Sequence, residues 1–187
     1  LILPERIANT AGSPRRRQRR TVYDRAMNET AGRVESINTS RGGVPKQPVF
    51  EALLTADGVD GDRQSDRRFH GGPDRAVVLF SLDVIKALHA EGHPIAAGTT
   101  GENLTLSAVP WAAVVPGTEL TIGGARLRIT KYASPCYKIR GSFADHDETR
   151  IAQKLHPGWS RLCASVVTEG LVRVGDAVHV HALYADT

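Results

Sequence analysis

The most regular alternation of apolar and polar positions runs over residues 118–130. There Leu120, Ile122, Ala125 and Leu127 share one side of an extended chain, while Thr121, Arg126 and Arg128 share the other. Gly123-Gly124 supplies the positive φ of a two-residue hairpin turn, and that register pairs Ile122 with Ala125 and Leu120 with Leu127. Shorter apolar runs mark strands at Val34 and Ile37, at 49–54, at 76–80, at 162–168, at 171–174 and at 177–180, with Gly42-Gly43-Val44-Pro45, Gly170 and Gly175-Asp176 as turns. Two segments carry helical spacing instead. Ser81 caps a helix with Leu82, Ile85 and Leu88 on one side and a stop at Gly92. Asp145 and Glu148 form a capping-box pattern ahead of Ile151 and Leu155, ended by His156-Pro157-Gly158. Strands feeding strands with a few short flanking helices predict a mainly β, α+β chain closed or nearly closed into a β-barrel.

Composition narrows the class. At 187 residues, 41% apolar and 24% charged, with 18 Gly and 10 Pro, the chain reads as one globular domain rich in turns. Residues 1 to about 28 carry no sustained periodicity and read as a flexible Arg-rich extension, with the folded domain over 29–187. The net charge of +4 is misleading, because residues 1–20 alone carry +5 and leave −1 for the rest. A nucleic-acid partner is therefore disfavoured. The paired arginines are followed by Thr21-Val22-Tyr23-Asp24-Arg25 rather than an apolar run, so they do not read as an export signal. No apolar run is long enough to span a membrane, and a cytoplasmic location is expected.

Candidate chemistry gathers in a few places. Gly61-Asp62-Arg63, Asp66 and His70-Gly71-Gly72-Pro73-Asp74-Arg75 put glycines beside charges. That pattern fits a loop offering N–H groups to an anion, and equally a polar turn before a strand. Glu102 and Asn103 fit the hydrogen-bonding edge of a heterocycle, or simply the cap of a strand end. Cys136, behind the rigid Ser134-Pro135 step and near Lys131, Lys138 and Arg140, is a candidate nucleophile or metal ligand, while Cys163 in an apolar strand reads as inert. The seven histidines form no zinc pattern and read as solvent-facing. There is no phosphate loop, nucleophile elbow or dinucleotide fingerprint.

In order and spacing, Gly61-Asp62-Arg63, His70–Val77, Gly101-Glu102-Asn103-Leu104-Thr105, Pro135-Cys136 and Gly170 to Gly175-Asp176 resemble the MOSC domain family, named for the C-terminal domain of molybdenum cofactor sulfurases. Ser40, Gly42-Gly43, Pro45-Lys46 and Pro157-Gly158-Trp159-Ser160-Arg161 resemble stand-alone bacterial members. The resemblance implies a MOSC-type β-barrel that binds the pterin-based molybdenum cofactor (molybdopterin). Cys136 would be its catalytic residue and metal ligand. His70, Gly71, Gly72, Asp74, Arg75, Glu102, Asn103, Ser40 and Lys46 would line the pterin and its phosphate. Pyridoxal phosphate binding is associated with the family at family level only. The implied activity is reduction of N-hydroxylated small molecules by oxygen-atom transfer, with a separate electron donor protein, because no flavin, haem or iron–sulfur motif occurs in the sequence. The alternatives are a sulfur carrier using a Cys136 persulfide for metal–sulfur cluster or cofactor assembly, and a non-catalytic cofactor-storage module.

Overall fold

The structure is a computed structural model and describes residues 31–63 and 72–181. The expected extension over 1–28 lies outside them. In chain order the elements are β1 (Ala31–Thr39), β2 (Gln47–Val49), β3 (Glu51–Thr55), β4 (Gly58–Val59), β5 (Val77–Ser81), α1 (Leu82–Ala90), β6 (Leu104–Ser107), β7 (Glu119–Ile122), β8 (Ala125–Ala133), β9 (Arg161–Thr168), β10 (Gly170–Arg173) and β11 (Ala177–His181). Strands β11-β7-β8-β9-β5-β6-β1 form a continuous ladder, and pairing of β1 back onto β11 closes it into a seven-strand barrel. β2 extends the sheet from the far end of β1, and β10, β3 and β4 form a separate small sheet.

The hairpin has the register expected of its sequence, Ile122 opposite Ala125 and Leu120 opposite Leu127, with all four side chains buried. β5 and β6 run parallel and so need a crossover, which α1 supplies. Ser81 Oγ caps α1 by accepting from the Asp83 and Val84 amides, Ile85 and Leu88 are buried with Val84, and Gly92 follows at φ 92°. Along β9, Leu162 and Ala164 join the hydrophobic core with Val34, Ile37, Leu79, Phe80, Leu104, Leu106 and Ile129. None of the described helices is long and apolar enough to cross a membrane.

Two local expectations are corrected. No α-helix forms over 145–155; the chain makes a short 3-10 turn at Glu148–Ile151 instead. Its cap is Asp147, whose Oδ1 accepts from the Thr149 amide and hydroxyl, while Asp145 is committed to the Arg150 guanidinium and the Asp147 amide. These local side-chain bonds compete with helix propagation, and with Leu155 left 63% exposed only Ile151 is buried to anchor an apolar face. His93 is likewise not solvent-facing. It is buried edge-on to Phe143, and its Nδ1 accepts from the Ala144 amide.

Candidate functional site

A cavity of about 290 Å³ opens where β1 and β8 finish and β6 and β9 begin. Among the described residues its wall mixes apolar side chains (Val44, Val78, Ala133, Ile139) with the cations Lys46, Arg63, Arg75, Lys138 and Arg161 and a single carboxylate, Asp62. It lies at the lower edge of the range usual for cofactor-sized ligands, ~300–1,000 Å³.

Asp62 organises one side. Its Oδ1 accepts from the Ser40 amide at 2.7 Å, and its Oδ2 accepts from Lys46 Nζ at 2.5 Å and from Asn103 Nδ2 at 2.9 Å. Two chain segments distant in sequence, 40–46 and 103, thus converge on one buried carboxylate. Asn103 completes the joint: its Oδ1 accepts from the Val78 amide and its Nδ2 also donates to the Asn38 carbonyl. Ser40 Oγ donates to the Gly43 carbonyl and accepts from the Gly42 amide, which shapes the turn that delivers Lys46. Burial pushes the Lys46 ammonium below its ordinary pKa, and the attraction of Asp62 only partly offsets this.

The opposite side carries sulfur and a buried guanidinium. Cys136 is half-buried at the end of the 134–136 segment that leaves β8, and Cys163 is buried on β9. The thiol of Cys163 is pushed up by burial, against the pull of Arg75, Arg161 and Lys131. Arg161 is 7% exposed, donates through Nη1 to the Thr100 carbonyl and through Nη2 to the Ser134 carbonyl, and has no partner at Nε. Burial lowers its pKa, opposed by Glu102 and by the sulfurs of Cys163 and Cys136.

Of the residues expected from sequence, Ser40, Lys46, Arg75, Asn103 and Cys136 meet on this wall. Glu102 does not. It is fully buried and accepts from the Gly98 amide and the Thr100 and Thr105 hydroxyls, so the strand-end capping role describes it. Gly72 and Asp74 are exposed and off the wall, the Asp74 carbonyl accepting from Thr130 Oγ1; His70 and Gly71 lie outside the described residues. Arg140 turns away to Glu148, and Lys131 acts on Cys163, so of the cations near Cys136 in sequence only Lys138 reaches the cavity.

Sequence reasoning flagged Asp62, Arg63 and Lys138 as nearby charges without giving them a place in the site, and it missed the role of Arg161 and the cavity-facing position of Cys163. A signal existed for Arg161. It is a lone charge opening the apolar run Leu162-Cys163-Ala164, and alternation puts Arg161 and Cys163 on the face opposite the core residues Leu162 and Ala164.

Comparison with known proteins decides the family. The MOSC domain model matches residues 66–179, more than half of the chain. The chain belongs to the MOSC domain family. The family is associated with the molybdenum cofactor. Protein YiiM of Escherichia coli is 30% identical over 127 residues, covering 65% of this chain and 55% of the relative. The uncharacterized protein YflK of Bacillus subtilis is 27% identical over 135 residues, covering 71% and 60%. The chain therefore spans less than two thirds of the length of these relatives. A crystal structure of a hypothetical protein superposes with TM-score 0.69 at 26% identity, covering 86% of this chain and 73% of that one. The crystal structure of YiiM from Escherichia coli, at 24% identity and TM-score 0.63 over 83% of this MOSC chain and 72% of its own, shares the fold.

Proposed function

We propose that the cavity binds the molybdenum cofactor with Cys136 as the protein's metal ligand, and that the protein reduces N-hydroxylated small molecules. The observation that carries this reading is a half-buried thiol on the wall of a cavity where, among the described residues, five cations face one carboxylate. The donor set fits the group: a soft thiolate suits molybdenum, and Arg and Lys suit a terminal phosphate. Arg63, Arg75, Lys46 and Lys138 would hold the phosphate end, Val44, Val78 and Ile139 would cover the pterin faces, and Ser40 and Asn103 would fix the walls around it. When bound, the cofactor supplies oxygen-atom transfer, so that N–OH, two electrons and two protons give N–H and water. The electrons would come from a separate donor protein. The chain's own part is to orient cofactor and substrate and to fix the sulfur in place.

Protein made in a cofactor-competent host should carry near-stoichiometric molybdenum and pterin, and protein from a cofactor-deficient host should carry neither. Cys136→Ser exchanges a soft ligand for a hard, protonated one, so metal content and reduction of an N-hydroxylated base should both collapse in a folded protein. Metal-free protein from the competent host, with Cys136 found as a persulfide by mass spectrometry, would replace this reading with sulfur transfer.

A further inference from the structure

A guanidinium buried this deeply is ordinarily matched by a carboxylate and uses its donors in full. Arg161 departs on both counts. Among the described residues no carboxylate lies within ion-pair distance of it, and both oxygens of Glu102, whose charge still acts on it, are engaged by the loop 98–105. Among the described residues, Arg161 Nε is the buried side-chain polar atom left without a partner. Its two terminal nitrogens are spent on carbonyls of two separate cavity-lining segments, Thr100 ahead of β6 and Ser134 two residues before Cys136.

We propose that Arg161 is the anion receptor of the cavity and the positioning residue for Cys136: the terminal nitrogens clamp the Ser134–Cys136 lip to the Thr100 lip, and the guanidinium charge set into the cavity wall attracts an anionic ligand. This deepens the cofactor reading and rests on it for the identity of the ligand, not for the anion site itself. Glu102 offsets the burial of Arg161 only in part and from beyond ion-pair distance, and an anion arriving in the cavity relieves the remaining cost. Lysine carries the same charge but radiates its three donors from one nitrogen, so it lacks the planar fork that spans the two carbonyls, and Arg161→Lys separates charge from geometry.

The test uses metal-free and cofactor-loaded protein of the full chain. In metal-free wild type, inorganic phosphate should raise Tm above a chloride control of equal ionic strength. Arg161→Met should abolish the rise, and Arg161→Lys should weaken half-saturation about tenfold. Hydrogen exchange at 98–101 and 134–139 should quicken in both variants. In loaded protein, molybdenum and pterin should leave Arg161→Lys faster by a factor on the order of 10–100. Trp111→Phe is the control for general destabilisation. It removes the Trp111 Nε1 bond to the Ser160 carbonyl, beside Arg161 but off the cavity wall. It should lower Tm while leaving phosphate response and cofactor retention at wild-type values.

If Arg161→Met does not fold, Arg161→Lys carries the comparison. A wild-type phosphate response in Arg161→Lys, or cofactor loss from Trp111→Phe as fast as from Arg161→Lys, would overturn the inference. Protein that never acquires molybdenum, yet shows an Arg161-dependent phosphate response, would sink the cofactor reading and leave the anion receptor standing.

Discussion

Lys46 Nζ lies 2.5 Å from Asp62 Oδ2 with the two side chains 10% and 3% exposed, and this pair fixes the geometry of one cavity wall. Because Asp62 also holds the Ser40 amide and Asn103, the pair links the β1–β2 turn, the segment after β4 and the start of β6. A pair this deep is a device for holding shape more than a source of net stability, since desolvation offsets most of the attraction.

Breaking that pair from one side should be costly. Asp62→Asn strands a buried ammonium and should lower unfolding free energy by about 3–5 kcal/mol in urea denaturation, with Asp62→Asn/Lys46→Met recovering a large part. The sign of the pH dependence follows from Lys46. Its folded pKa is below the ordinary 10.5, so the unfolded chain binds more protons and stability rises as pH increases toward 10.5. Without Asp62 the folded value falls further, so Asp62→Asn should gain stability more steeply than wild type on the alkaline side. A flat comparison would show that the two groups are not coupled.

Gly98 should tolerate no side chain. It sits at φ 81°, and an added Cβ would fall 2.6 Å from the Lys46 carbonyl and 3.3 Å from the Asn38 side chain. Its amide donates to Glu102 Oε1, and its carbonyl accepts from the Lys46 amide. Gly98→Ala should cost at least about 1–2 kcal/mol from the backbone alone and displace Lys46 as well. The check is a lower denaturation midpoint together with a weakened phosphate response.

The barrel was legible because alternation over 118–130 and the Gly-Gly turn specify both a face and a register, and a one-residue slip would expose Leu120, Ile122, Ala125 and Leu127 together. Cys136 was legible because Pro135 and the end of a strand place it at a lip. Arg161 was hidden because its role depends on carbonyls contributed by residues 100 and 134, a meeting that no local pattern encodes. Glu102 misled for the same reason. A Glu-Asn pair shows polar capacity, but only the fold decides which member faces inward to cap a loop and which lines the cavity.

The failed helix over 145–155 has an acid-side consequence. Arg150 donates to Asp145 and holds its carboxyl at about 2, below the ordinary 3.8. A depressed carboxyl contributes stability above its unfolded pKa and loses it as pH falls through the folded value, so the window runs from 3.8 down to about 2. Both groups are solvent-accessible, so the effect is screened by salt. Asp145→Asn should flatten the Tm-against-pH curve in that window, its Tm lying below wild type at neutral pH and the two curves converging as pH falls to about 2. A parallel curve would mean that the ion pair does not persist in solution.

The two cysteines share the cavity wall but should separate cleanly by experiment. Cys163 is 3% exposed, between the core residues Leu162 and Ala164, and burial holds its thiol protonated above the ordinary range. Its position on the wall gives it contact with the ligand volume without the accessibility of Cys136. Cys163→Ser exchanges the thiol for a more strongly solvated hydroxyl at a buried position, which costs roughly 1–3 kcal/mol if the group stays unsatisfied. Cys163→Ala should cost less, because it removes the polar atom as well. Molybdenum per folded molecule and reductase turnover should persist in both, in contrast to Cys136→Ser, as measured by metal analysis and steady-state rates alongside urea denaturation. Loss of metal in Cys163→Ser with retention in Cys136→Ser would transfer the ligand role from the lip of the cavity to its floor on β9.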